Sequence, residues 1–183
     1  VYATMYAQSG NIENKGIELT INATPVQLRD FSWQTILTYT KNKNKVLKLS
    51  EGKSFVEDGK YLIEEGSPLG QWFGQKALGI YATDEANAYI KNSDGSFGDR
   101  LIPVYQRDPN NYNNYIYGSN GKPIFSHYET KGGQKYAGDV GQMTTAGSVS
   151  KGGDIIWDDL DHDGVIGDSD RRILGNGMPT WYM

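Results

Sequence analysis

The run from Asp159 to Asp170 carries carboxylates at its first, third, fifth and twelfth places, with Gly164 at the sixth and Ile166 at the eighth. Calcium collects six to eight oxygens, and this spacing lets one tight loop supply most of them. Asp159, Asp161, Asp163 and Asp170 are the expected side-chain ligands, and Val165 the expected backbone carbonyl. Gly164 allows the sharp turn at the centre, and Gly167 leaves room for a water. The twelfth place holds Asp rather than the longer Glu, so one-oxygen or weaker ligation is expected there. A loop rich in Asp and Gly is also compatible with a plain solvated turn. The four spaced carboxylates with Gly164 and Ile166 favour the ion.

The flanks of this loop are not helical. Asp154-Ile155-Ile156-Trp157 is short and β-rich and follows Gly152-Gly153. Arg171 to Leu174 runs into Gly175-Asn176-Gly177 and Pro179. Neither stretch holds a long helix, so the motif does not imply a helix–loop–helix calcium domain.

Nothing supports catalysis. The two histidines are His127 and His162, there is no cysteine, and no nucleophile motif is present. Adjacent acids such as Glu64-Glu65 and Asp158-Asp159 read as solvated charges rather than a glycosidase pair. The net charge of -4 without a basic stripe argues against a nucleic-acid partner. With 23 glycines, 13 tyrosines and 37% hydrophobic residues, the chain favours strands and loops and gives a lean core. No apolar run reaches the ~20 residues of a transmembrane helix. No signal peptide is visible, and Val1 begins as though the sequence continued upstream.

Two segments alternate with strand period. Ile17, Leu19, Ile21 and Ala23 fall on one face, against Glu18, Thr20, Asn22 and Thr24. Phe31, Trp33, Leu37 and Tyr39 share one face of the next, with Ile36 an exception on the other. Pro25 is expected to end the first strand, and residues 25–30 to form a short connection. Apolar alternation with aromatics near the strand ends suits a soluble sandwich or a transmembrane β-barrel, and periodicity alone does not separate them. A further β segment is expected over residues 71–81. Thr83 reads as the N-cap of one short helix, with Asp84 and Glu85 in its first turn. Asp94-Gly95 and Asn120-Gly121 signal hairpin turns. Residues 130–153 contain seven glycines and are expected to be mobile. Tyr112, Tyr115 and Tyr117 stand in a biased, nearly uncharged run. It is either a loop packed on its own tyrosines or a contact surface for a partner or glycan.

Three blocks, in order, carry a resemblance. Asn11-Ile12-Glu13-Asn14-Lys15-Gly16-Ile17-Glu18-Leu19 is the first. The second is Glu65-Gly66-Ser67-Pro68-Leu69-Gly70-Gln71-Trp72-Phe73-Gly74, continuing to Gly79-Ile80-Tyr81. The third runs from Gly153-Asp154-Ile155 through Asp159 to Ile166, then Asp170-Arg171 and Leu174-Gly175-Asn176. Together they resemble the SusC/RagA family of TonB-dependent outer-membrane transporters of Bacteroidetes. Residues 94–149 match no block. The resemblance implies a plugged barrel of about 22 strands, energised through TonB and capped by a SusD-like surface lipoprotein. It implies import of oligosaccharides or peptides, and this chain would be a late portion of the barrel.

The expected fold is therefore mostly β: antiparallel strands of a transmembrane β-barrel, long extracellular loops and one short helix. Residues 1–49 would form two barrel strands with a short periplasmic turn. Residues 50–153 would form an extracellular loop region, 154–175 the calcium-binding-like loop, and 176–183 the start of the next strand. Outer-membrane lipid would surround the strands, with residues from about 50 to 175 outside the cell. The competing readings are a soluble, calcium-stabilised β domain that binds carbohydrate, and a hydrolase accessory domain.

Overall fold

The computed structural model describes residues 10–50 and 52–182; residues 1–9 of the expected 1–49 segment, residue 51 and Met183 lie outside the described residues. Among the described residues every regular element is a strand, apart from the one-turn 3-10 helices Asp84–Ala86 and Asp168–Asp170. The chain divides into two compact units, residues 1–74 with 173–183, and residues 75–172.

The first unit is built on a long hairpin of β1 (Gly10–Gln27) and β2 (Ser32–Leu49). The strands pair antiparallel, with Leu19 opposite Tyr39, Ile21 opposite Leu37 and Ala23 opposite Thr35. The alternating apolar residues of both strands thus share one face, as the period-2 pattern requires. The other face carries Glu18 opposite Thr40 and Thr20 opposite Thr38. Both strands run well past the alternating segments. At the end away from the turn, Val46 and Leu49 are buried. Trp181–Tyr182 pairs with the middle of β2 at Lys41 and Thr40.

Pro25 does not end β1. It lies inside the strand, where the register shifts between Ala23 and Val26. A bulge is one of the few strand sites that accommodates a residue without an N–H. The turn is Leu28 to Phe31, closed by the Leu28 N–H donating to the Phe31 carbonyl at 2.7 Å. A second sheet holds Arg171–Asn176, Gln71–Gln75, Tyr61–Ile63 and Phe55–Glu57, in that order.

The second unit consists of small sheets of two or three short strands. Its core is Tyr81, Tyr89, Met143 and Ile156, with Phe97 and Ala86 packed against it. The hydroxyls of Tyr81 and Tyr89 meet at 2.9 Å inside this core. Asn87 is fully buried and is bonded through its side chain to the backbone at Met143 and Ser150. The glycine-rich stretch 130–153 is built from short paired strands, Lys135–Tyr136, Val140–Gly141, Thr144–Thr145 and Ser148–Val149. The expected helix after Thr83 is a single 3-10 turn, and Thr83 makes no side-chain cap. Its hydroxyl bonds the Tyr105 hydroxyl instead. Both hairpin signals form turns, with Gly95 and Gly121 at positive φ.

Candidate metal centre

The loop from Asp159 to Asp170 lies wholly within the second unit and folds back on itself at Gly164, where φ is +79°. Backbone donors fix each carboxylate. The Gly164 N–H donates to Asp159 Oδ2 at 3.0 Å, and the Asp163 N–H to Asp161 Oδ1 at 3.4 Å. Asp170 sits on the turn Asp168–Asp170 and is fully buried. The Leu160 N–H donates to its Oδ1 at 2.8 Å and the Gly167 N–H to its Oδ2 at 2.7 Å, so one carboxylate ties the two ends of the loop together.

These contacts gather oxygens from Asp159, Asp161 and Asp170 within 4.8 Å of one another. Asp159 is buried, and its Oδ1 has no hydrogen-bond partner. Burial pushes the Asp159 carboxyl above the usual carboxylate range, and the neighbouring Asp170 charge adds to the shift. Asp161 is exposed and moves the other way, chiefly because the Ser169 hydroxyl bonds its charged form. A buried carboxylate oxygen left unpaired beside two other acids is costly for the protein alone. An oxygen-only donor set of this kind suits a hard divalent cation and not zinc.

The structure sorts the five sequence-predicted positions. Asp159, Asp161 and Asp170 converge. The Asp163 carboxylate stands outside the trio and accepts the Val165 N–H at 2.7 Å. Val165 begins the two-residue strand Val165–Ile166, which pairs in parallel with Thr144–Thr145. Arg172 pairs with Asp158, and Arg171 lies 3.6 Å from Asp168. The loop is fastened to its surroundings by backbone bonds. The Phe97 N–H donates to the His162 carbonyl at 2.8 Å, and the Thr144 N–H to the Gly164 carbonyl at 3.0 Å. A Cβ at Gly164 would be driven into the Phe97 ring. Ser169, inside the loop but at none of the ligand places, bonds Asp161 through its hydroxyl. Phe97, distant in sequence, closes over Gly164 without any local sequence signal.

The tyrosine run forms the strand Asn111–Tyr115 and its continuation. Arg107 covers the Tyr115 ring at 4.4 Å and donates to the Tyr115 hydroxyl at 3.0 Å. Tyr105 meets the same ring edge-on. Tyr115 is thus held by packing, whereas Tyr112 and Tyr117 are 78% and 60% exposed.

No protein-family model matches the chain. It is similar to TonB-dependent receptor P39 of Formosa agariphila, 36% identical over 178 residues, covering 97% of this chain and 15% of that receptor. It is 24% identical to TonB-dependent receptor P3 of the same organism, over 95% of this chain and 13% of that protein. It is 28% identical to TonB-dependent receptor SusC of Bacteroides thetaiotaomicron, over 72% of this chain and 11% of SusC. The chain belongs to the SusC-like TonB-dependent receptors. It spans about one seventh of the length of the relatives it matches first.

Proposed function

We propose that this chain is a stretch of the barrel and outer loops of an outer-membrane transporter, energised through TonB. It would import oligosaccharides or peptides together with a SusD-like surface lipoprotein. The observation that carries the reading is the apolar face of the hairpin. Ile17, Leu19, Ile21, Trp33 and Leu37 line one side of β1 and β2, and each is roughly half exposed or more. A soluble sheet buries such a face. A barrel strand turns it to lipid and its polar face to the lumen. The stretch from Phe31 to Lys41 matches the roughly 9–11 residues that a tilted strand needs to cross a bilayer. The Leu28–Phe31 turn is short, as periplasmic turns are, so β2 runs outward and residues from about 50 to 175 belong outside the cell. Tyr112 and Tyr117, with Tyr115 held behind them, offer rigid aromatic surface for the lipoprotein or the substrate.

The chain has no cysteine, so single cysteines report orientation cleanly once the background of the full-length receptor is subtracted. Asp168→Cys, at a site 97% exposed, is expected to react with a membrane-impermeant maleimide on intact cells. Arg29→Cys, in the turn, is expected to react only after the outer membrane is opened. The reverse pattern, or a full-length receptor that remains in solution without detergent, overturns the reading. Loss of lipoprotein and substrate binding in Tyr112→Ala/Tyr117→Ala supports the contact role; unchanged binding removes it.

A further inference from the structure

We infer that Asp159, Asp161 and Asp170 bind a calcium ion that acts as a structural part of the second unit. The site does not depend on the transport reading, because its donors lie within residues 159–170 and its readouts are ion binding and thermal stability rather than transport.

Three independent features point to the ion. The loop spacing is the first. The second is the convergence of three carboxylates in one small space, when like charges at such separations repel strongly unless a cation lies between them. The third is the buried Asp159 Oδ1 without a partner. Its companion Oδ2 is already used by Gly164, and both oxygens of Asp170 are held by backbone donors. The trio is therefore positioned before any ion arrives, and one oxygen is left with nothing else to bind.

Coordination flexibility favours calcium. One oxygen from each of the three residues lies within 4.8 Å of the others, and calcium accepts six to eight oxygens in a flexible shell, whereas magnesium is smaller and dehydrates reluctantly. Magnesium also demands near-ideal octahedral geometry, which three carboxylates from one short turn do not set up. Asp163 serves the loop backbone at Val165, and water completes the shell at the exposed Asp161 side.

Filling the site does more than neutralise charge. The loop carbonyls at His162 and Gly164 are strand partners for Phe97 and Thr144, and Phe97 packs on the Tyr81–Tyr89–Met143–Ile156 core. An ordered loop therefore supports two neighbouring strands, and an ion bound only to the folded loop stabilises them by mass action.

The test uses the full-length receptor in detergent, stripped with a chelator and titrated with calcium. Saturable binding by calorimetry and a rise in thermal midpoint are expected, with magnesium at least tenfold weaker. Terbium as a calcium substitute is expected to luminesce on excitation of tryptophan, since Trp157 lies two residues before Asp159. Asp161→Asn is the decisive variant because the residue is exposed and its loss leaves packing intact. It is expected to weaken calcium by roughly tenfold or more, the scale of losing a metal-site group. Asp168→Asn, an exposed acid in the same loop, is expected to leave affinity within about twofold. No saturable binding at ten-millimolar calcium overturns the site. Equal weakening by Asp161→Asn and Asp168→Asn also overturns it, because that marks diffuse attraction to an acidic surface.

Discussion

Asn87 and Met143 exchange two hydrogen bonds across 56 positions of chain. The Met143 N–H donates to Asn87 Oδ1 at 2.8 Å, and Asn87 Nδ2 donates to the Met143 carbonyl at 3.0 Å. The same Nδ2 reaches the Ser150 carbonyl at 2.7 Å. One side-chain amide thus caps the end of the Thr144–Thr145 and Ser148–Val149 pair, where the Ser150 N–H also donates to the Met143 carbonyl at 3.1 Å, and every contact is buried.

Asn87→Ala is expected to cost about 3 kcal/mol, since it takes their Asn87 partner from the buried Met143 N–H and the Ser150 carbonyl at ~1–3 kcal/mol each. Asn87→Asp should be no better, because a carboxylate oxygen would face two carbonyls. Denaturant titration gives the cost. Hydrogen exchange at the Met143 amide should accelerate in both variants while amides in β1 and β2 stay protected.

Gly164→Ala is expected to destabilise the loop twice over. The backbone there is left-handed, which strains a residue with a Cβ by ~1–3 kcal/mol. The added methyl also meets the Phe97 ring. A double-mutant cycle with Phe97→Leu should recover the clash and not the backbone strain. Full recovery would mean that the left-handed turn is unimportant.

Alkaline pH should loosen the second unit. Burial raises the Tyr81 hydroxyl well above its ordinary value of 10.0, and burial likewise raises Tyr89. In the unfolded chain both release protons near pH 10, while the fold retains them. The stability they contribute is therefore full below about pH 10 and falls as pH climbs beyond it. The fall should be shallower in Tyr81→Phe/Tyr89→Phe, measured by denaturant midpoints between pH 8 and 11.

Leu19→Arg is expected to impair assembly into lipid vesicles by roughly 2–4 kcal/mol, the cost of a cation near the mid-membrane of a lipid-facing strand. Thr20→Arg, on the opposite face beside Thr38, should assemble almost normally. Equal behaviour of the two variants would remove the assignment of faces.

The hairpin was legible because period-2 alternation is a local property, and Ile17 to Ala23 against Trp33 to Tyr39 express it cleanly. Its ends were not. Pro25 looks like a stop in one dimension and is harmless at a bulge, which exists only when two strands pair. Thr83 looks like a cap, yet its hydroxyl is taken by Tyr105, 22 positions away. In the acidic loop, spacing identified four carboxylates and one backbone carbonyl but did not say which of them converge. Backbone bonds made only after folding draw in Asp159, Asp161 and Asp170 and assign Asp163 to Val165. Asn87 carries no sequence signal, because its partners lie more than 50 residues away.

The Pro25 bulge has a consequence for how the hairpin keeps its length. Antiparallel strands otherwise resist slippage only through their side-chain pattern, and a two-residue slide preserves that pattern. Such a slide would carry the extra residue and the missing N–H at Pro25 into a regular stretch of ladder, where a donor is required. Pro25 therefore works as a detent beside the turn. It thereby holds the register through to the far end of the hairpin, where Gly10 faces Leu49, and fixes which residue of β2 is the last to be paired before the chain leaves the hairpin.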